Sequence, residues 1–222
     1  MPRLTWDESG KKIYHTGIAQ AVLYRPTNGV YSKGVAWNGL TSLTESPSGA
    51  DEQKFYADNI QYASLRGAED FGGTIECYTY PDEFAECNGE IEIVAGVRGN
   101  QQERKPFGLS YVNKIGNDVD GISHGYELHL VYGATASPSE NQHQTINDSP
   151  ELDTFSFEFT CTPVQTSFSK NPLSHIIINS TTVDDTKLKA FEDILYGTAG
   201  DGDEKTARLP LPDEVKSLLT AA

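Results

Sequence analysis

The chain has 222 residues and carries 32 acidic against 17 basic side chains, a net charge of −15, with 37% hydrophobic residues. This length supports a substantial core and the composition falls outside the disordered classes, while the acidic excess excludes general affinity for nucleic acid, which rests on Lys and Arg displacing counterions from phosphates. No apolar run approaches the roughly 18 residues that span a bilayer, the start lacks an apolar stretch behind a basic one, and Cys77, Cys87 and Cys161 form no CxxC pair; the expectation is a protein made and kept in the cytoplasm with reduced thiols, bound to no membrane.

Strand signals dominate from the N-terminus onward. "IAQAVLY" and "GVYSKGVAW" come first, and Trp37 before the Asn38-Gly39 pair, followed by "GLTSLT", reads as a hairpin with its turn at Asn38-Gly39. The stretch from Gly34 to Asn59 is a long excursion: after "TSLT" comes polar, turn-rich "ESPSGADEQK", then the aromatic pair Phe55 and Tyr56. "NIQYASL" follows as a strand candidate. "GTIECY" sets Ile75 and Cys77 against Thr74, Glu76 and Tyr78, and "EIEIV" sets Ile91 and Ile93 against Glu90 and Glu92.

After "KPFGLSYV", "HGYELHLVY" places Tyr126, Leu128, Leu130 and Tyr132 opposite Glu127, His129 and Val131. "ASPSENQHQTINDSP" is a second long loop, taken as 137–150. "DTFSFEFTC" alternates strictly, Phe155, Phe157, Phe159 and Cys161 against Thr154, Ser156, Glu158 and Thr160, and "HIIIN" closes the strand series. One apolar and one Thr/Ser/Glu face per strand predicts antiparallel sheets, packed on one side and wet on the other, in a sandwich or barrel.

A helix is predicted over about 183–197, with Leu188, Phe191, Ile194 and Leu195 on one face, Thr182 three before Asp185 at its start and Gly197 as its stop. The organisation expected is a β domain over 1–197 and an acidic tether with a C-terminal arm over 198–222. In that arm "PDEVKSLL" forms a short helix behind Pro212, with Val215, Leu218 and Leu219 on one face. Glycine-rich, then proline-stiffened sequence before it suggests that this helix docks on something other than the core, local fold-back being the alternative.

No chemistry-bearing constellation emerges. His124 and His129 face opposite sides of one strand and no ligand pair has convincing metal spacing; from Asp118, calcium-loop positions 6 and 12 fall on Ser123 and His129, and from Asp201 position 12 is Pro212. There is no G-x-S-x-G elbow or phosphate-binding glycine motif, and Cys161 shares its strand side with three phenylalanines. The enzymatic rival is a β-sandwich glycosidase using two of Glu76, Glu127 and Glu158 as acid and base, with Tyr78 and Tyr80 as its aromatic neighbours. A monomeric carbohydrate-binding module is the third reading.

Six blocks together carry a resemblance: "VYSKGVAWNGLTSLTESPSGADEQKFYADNIQY", "TIECYTYPDEFAECNG", "KPFGLSYVNKIGND", "HGYELHLVYGATASPSE", "AFEDILYGT" and "RLPLPDEV". In this order, from about Val30 to the C-terminus, they resemble the major tail protein, or tail-tube protein, of long-tailed, siphovirus-type bacteriophages. The resemblance implies a mainly β, antiparallel sandwich or barrel with one flanking helix and a short C-terminal helix. It also implies hexameric rings that stack into a hollow tail tube through which DNA passes, with no enzymatic activity and no cofactor or metal.

Implied partners are further copies of the chain, tape-measure, tail-tip and tail-terminator proteins, and DNA only as non-adhering cargo; the implied location is the virion, assembled in the host cytoplasm. The excursion at 34–59 would then reach a neighbouring subunit. Trp37, Phe55 and Tyr56 stand either as contact anchors or as parts of the subunit's own core, with Val215, Leu218 and Leu219 as further contact candidates. Glu76, Glu90, Glu92, Glu127 and Glu158 are the candidates for an acidic lumen that repels phosphates.

Overall fold

A computed structural model describes residues 3–145, 148, 152–199 and 205–220. In chain order the strands are β1 (Tyr14–Thr27), β2 (Val30–Ala36), β3 (Leu40–Glu45), β4 (Ser48–Gly49), β5 (Glu52–Ala57), β6 (Ile60–Arg66), β7 (Glu69–Asp70) and β8 (Gly72–Cys77). After a single 3-10 turn at Asp82–Phe84 come β9 (Ile91–Val94), β10 (Val97–Gly99), β11 (Phe107–Asn117), β12 (Gly121–Ala136), β13 (Phe155–Cys161) and β14 (His175–Asn179). Two helices follow, α1 (Asp185–Tyr196) and α2 (Pro212–Thr220). The protein is mainly β, its strand pairs are antiparallel, and no described helix is long and apolar enough to cross a membrane.

The main sheet runs β2-β1-β11-β12-β13-β8-β3, with β14 also on β12. Its two end strands, β2 and β3, are consecutive in the chain, and the connection between them closes the sheet. Trp37 N donates to Ala21 O of β1 at 2.8 Å, and Tyr78 N donates to Gly39 O at 2.8 Å, so the chain changes partners across Trp37–Gly39. The hairpin expected at Asn38-Gly39 is therefore absent: this stretch is a corner at which one extended segment passes from one side of the barrel to the other. Gly39 is required there, because its φ is +77° and a Cβ would come within 2.9 Å of the Thr79 side chain.

β12 splits the sheet into layers. Its Glu127–Val131 stretch pairs with β14 and Ala134–Ala136 with β13; between them the register against β11 shifts by a bulge. Gly133 lies in that bulge at φ +61°, its missing Cβ leaving room for Thr162 O, which a side chain would meet at 2.3 Å.

Two cores result. Leu23, Trp37, Ile75, Phe84, Phe107, Leu109, Val131, Phe157 and Phe159 fill the barrel. Tyr24, Leu128, Leu130, Tyr132, Ile178 and Val22 form the outer core against Leu188, Phe191 and Leu195 of α1 and Val215 of α2. Strands β1 and β12 thus bury both faces, which their unbroken apolar runs "AVLY" and "LVY" record. On β13 the alternation holds, with Phe157, Phe159 and Cys161 buried and Glu158 and Thr160 exposed.

α1 begins at an N-cap two residues later than the Thr182 signal suggests: Asp184 accepts from Thr186 N and Lys187 N at 3.1 and 3.2 Å. α2 differs more. The expectation that it stays off the core is overturned, since Pro212 and Val215 are buried and Leu218 and Leu219 pack on the outer core. The cause lies just upstream, where Leu209 pairs with Tyr31, Gly34 N donates to Ala207 O, and the Arg208 guanidinium grips Glu214 through both oxygens. These bonds cover the outer edge of β2 and set α2 down on the sheet.

Candidate functional site

From Ser46 to Phe71 the chain leaves the barrel between β3 and β8 and returns as a ladder. Ser46 N donates to Gly72 O and Ala50 N to Ala68 O, β4 pairs with β7, and β5 pairs with β6 out to Ala57 opposite Ile60. The tip residues Asp58 and Asn59 have φ of +52° and +64°, the double left-handed turn that two-residue hairpins need and that Asp and Asn tolerate. The polar stretch expected as a loop is thus the inner part of a β arm.

The arm's register sorts its side chains. Phe55, Ala57, Ile60, Ala63 and Leu65 share one face, while Glu52, Lys54, Tyr56, Gln61, Ser64 and Arg66 share the other. No described residue covers the apolar face: Phe55, Ile60 and Leu65 are 46%, 66% and 60% exposed, with Tyr56 and Tyr62 exposed beside them. A two-stranded hairpin is marginal in water unless it packs on something. The arm therefore presents both an apolar surface and two unpaired strand edges.

The remaining contact candidates sit elsewhere. Trp37 lies in the barrel core against Phe84 and Phe157, its Nε1 donating to Thr79 O at 3.0 Å. Val215 is covered by the outer core, and Leu218 and Leu219 are half-buried on it.

The five acidic candidates do not form one surface. Glu76 and Glu158 lie with Ser42, Thr44, Thr74, Ser156 and Thr160 on the wet face of β3, β8 and β13, where Ser42 Oγ donates to Glu76 at 2.7 Å. Glu90 is tied into a knot with Asn88, Tyr80 and Arg98. Glu92 is on the β9-β10 hairpin, accepting from Gly96 N, and Glu127 stands at the mouth of the barrel beside His129, His15 and Asn179. Glu127 is thus on a different part of the molecule from Glu76 and Glu158. The alternation of "EIEIV" does not mark a packed sheet face, because β9 and β10 form a separate hairpin on which Ile91, Ile93, Val94 and Val97 are exposed. That second apolar patch was missed because alternation alone does not say whether a strand joins a sheet.

The wet side expected for Glu127, His129 and Val131 faces the barrel interior instead. There His129 Nδ1 lies 3.0 Å from His175 Nε2 and 3.2 Å from Glu45 Oε1. Tyr111 stacks on His129 and donates its hydroxyl to Glu45 at 2.5 Å, and Phe71 stacks on His175. Burial lowers the pKa of both imidazoles, that of His175 to about 4, against the opposing pull of the Glu45 carboxylate. Donor atoms of Glu45, His129 and His175 lie within 4.8 Å of one another. These residues are separated by 84 and 46 positions in the chain, so no local spacing reveals them.

No family model matches the chain, and no curated protein matches it. Three solved structures show what the chain is similar to. A chain of the PVC sheath-tube complex of an extracellular contractile injection system, in the extended state, is 14% identical over 72% of this chain and 88% of that one, with a TM-score of 0.32. The tube-terminating cap of the anti-feeding prophage is 11% identical over 81% and 97%, with a TM-score of 0.33. The PVC sheath/tube terminator in the extended state is 12% identical over 79% and 99%, with a TM-score of 0.28.

Proposed function

We propose that the chain is a structural virion protein, the subunit of a hollow tail tube built from stacked hexameric rings through which phage DNA passes. The observation that carries this reading is the arm from Ser46 to Phe71, which exposes an amphipathic hairpin that no described residue of its own subunit covers. The ordered sequence blocks described above supply the occupant, a second copy of the chain. A ring needs a rotational contact and a stack needs an open, head-to-tail one, and one subunit can serve both with different surfaces.

Each large apolar side chain buried is worth about 1.5–3 kcal/mol, so Phe55, Ile60 and Leu65 supply a contact that is repeated at every subunit. The wet face with Glu76 and Glu158 is the surface we assign to the lumen, where carboxylates repel phosphates and let DNA slide. The assembled tube would engage tape-measure, tail-tip and terminator proteins in the virion, with no cofactor and no catalysis.

Negative-stain electron microscopy with light scattering, across protein concentration and salt, tests the reading. Rings or hollow tubes are expected, favoured by salt because the −15 charge of each copy opposes association. The double variant Phe55→Ser, Leu65→Ser should keep the fold by circular dichroism and remain monomeric under the same conditions. Tubes that form equally well from the double variant, or solid filaments in place of hollow ones, would overturn the assignment.

A further inference from the structure

The geometry points to a binding site for a divalent transition-metal ion of the zinc class, formed by Glu45, His129 Nδ1 and His175 Nε2 at the mouth of the barrel. It stands independently of the tail-tube reading.

The register explains why these residues meet. Glu45 is two residues beyond Leu43, which pairs with core-facing Ile75, so its side chain points into the barrel; His129 is two residues before Val131, and His175 lies opposite Val131 on β14. Three inward positions on β3, β12 and β14 converge at one open end. The contacts of 3.0 and 3.2 Å from His129 Nδ1 to the other two donors are close to the roughly 3.3 Å that separates ligand atoms around a tetrahedral zinc with bonds of about 2.0–2.1 Å.

The chemistry of the donors is also suited. Two imidazoles with a carboxylate select zinc-class ions over magnesium or calcium. With Nδ1 of His129 and Nε2 of His175 as ligands, each ring's other nitrogen faces a carboxylate at 3.9 Å, His129 Nε2 toward Glu127 and His175 Nδ1 toward Glu45. His129 Nε2 is buried without a hydrogen-bond partner, so a small shift of Glu127 would supply the orienting contact that metal-binding histidines use.

Charge balance favours a cation as well. Among the described residues Glu45 and Glu127 form ion pairs only with histidines, and no Lys or Arg reaches either. The Tyr111 hydroxyl holds the Glu45 carboxylate in place. Glu45 is about one-third exposed, which gives the ion a path from solvent.

Glu45 is also the last residue of β3, next to the bond from Ser46 N to Gly72 O that starts the arm. An ion at this position fastens the root of the arm to β12 and β14, strands with which β3 does not pair.

Isothermal titration of the full chain, stripped with a chelator, against zinc chloride tests the site. One zinc per chain with micromolar or tighter affinity is expected, with no binding of magnesium or calcium. Glu45→Gln and His175→Gln should each weaken zinc at least tenfold, and cobalt should give the visible bands of a tetrahedral ion that both variants lose. Slower hydrogen exchange at Ser46 with zinc would report the fastened root. Failure of the parent chain to bind zinc, or zinc affinity unchanged in Glu45→Gln, would overturn the proposal. Glu45→Gln keeps size at a partly exposed position, so that second outcome is readable even if His175→Gln fails to fold.

Discussion

Trp37 illustrates what a residue's type does and does not reveal. An aromatic beside an Asn-Gly pair suits a hairpin or an interface equally well, and only the partner change at Trp37–Gly39 turns its ring inward against Phe84 and Phe157. Trp37→Ala should cost about 3–5 kcal/mol of unfolding free energy in urea titration, a large part of a typical domain's total, through the cavity and the lost bond to Thr79. The thiols give a second residue-scale expectation. Burial pushes Cys77 up to about 11 and Cys87 and Cys161 up to about 12. At pH 8 an aromatic disulfide reagent should therefore label none of the three at an appreciable rate until denaturant is added, and then all three. The histidine pair escaped sequence reading because His129 and His175 meet through strand pairing, not through spacing along one strand.

Most elements were legible because alternation and helical spacing are local. "DTFSFEFTC" reads directly as β13, and Leu188, Phe191 and Leu195 mark the buried face of α1. What local pattern cannot supply is the partner. The polar stretch "ESPSGADEQK" reads as a loop because its strands β4 and β5 pair only with β7 and β6 in an arm outside the barrel. α2 reads as free because the segment that fixes it bonds to β2, far away in sequence.

The Arg208–Glu214 pair at that junction makes a pH prediction. The Arg208 guanidinium holds the Glu214 carboxyl below its usual 4.5, so its contribution is fully present above about pH 4.5 and is lost as pH falls through the lowered value. Both groups are partly exposed, which limits the pair to about 1 kcal/mol or less. Glu214→Gln should lower the unfolding free energy by that amount at pH 7, with the gap to the parent narrowing below about pH 4.5.

At the scale of the molecule, the class of fold followed from the sum of strand signals, whereas its closure did not. Two features unreadable from periodicity decide the architecture: the corner that joins β2 to β3, and the bulge at Gly133 that lets β12 serve β14 and β13 in turn. Together they produce a barrel with a helix-covered outer layer, from which the arm and the β9-β10 hairpin stand out.

The arm enters and leaves through two strands that are already hydrogen-bonded to each other, with Glu45 opposite Gly73 at its base. The β5-β6 hairpin beyond that base is, for the barrel, a graft: none of its residues belongs to either core. It can be lengthened, shortened or exchanged without disturbing a layer of the core, whereas Phe71 at the root, packed on Phe159 and His175, has to stay. An engineer inherits the same freedom, with the barrel as a chassis and the hairpin as a replaceable attachment.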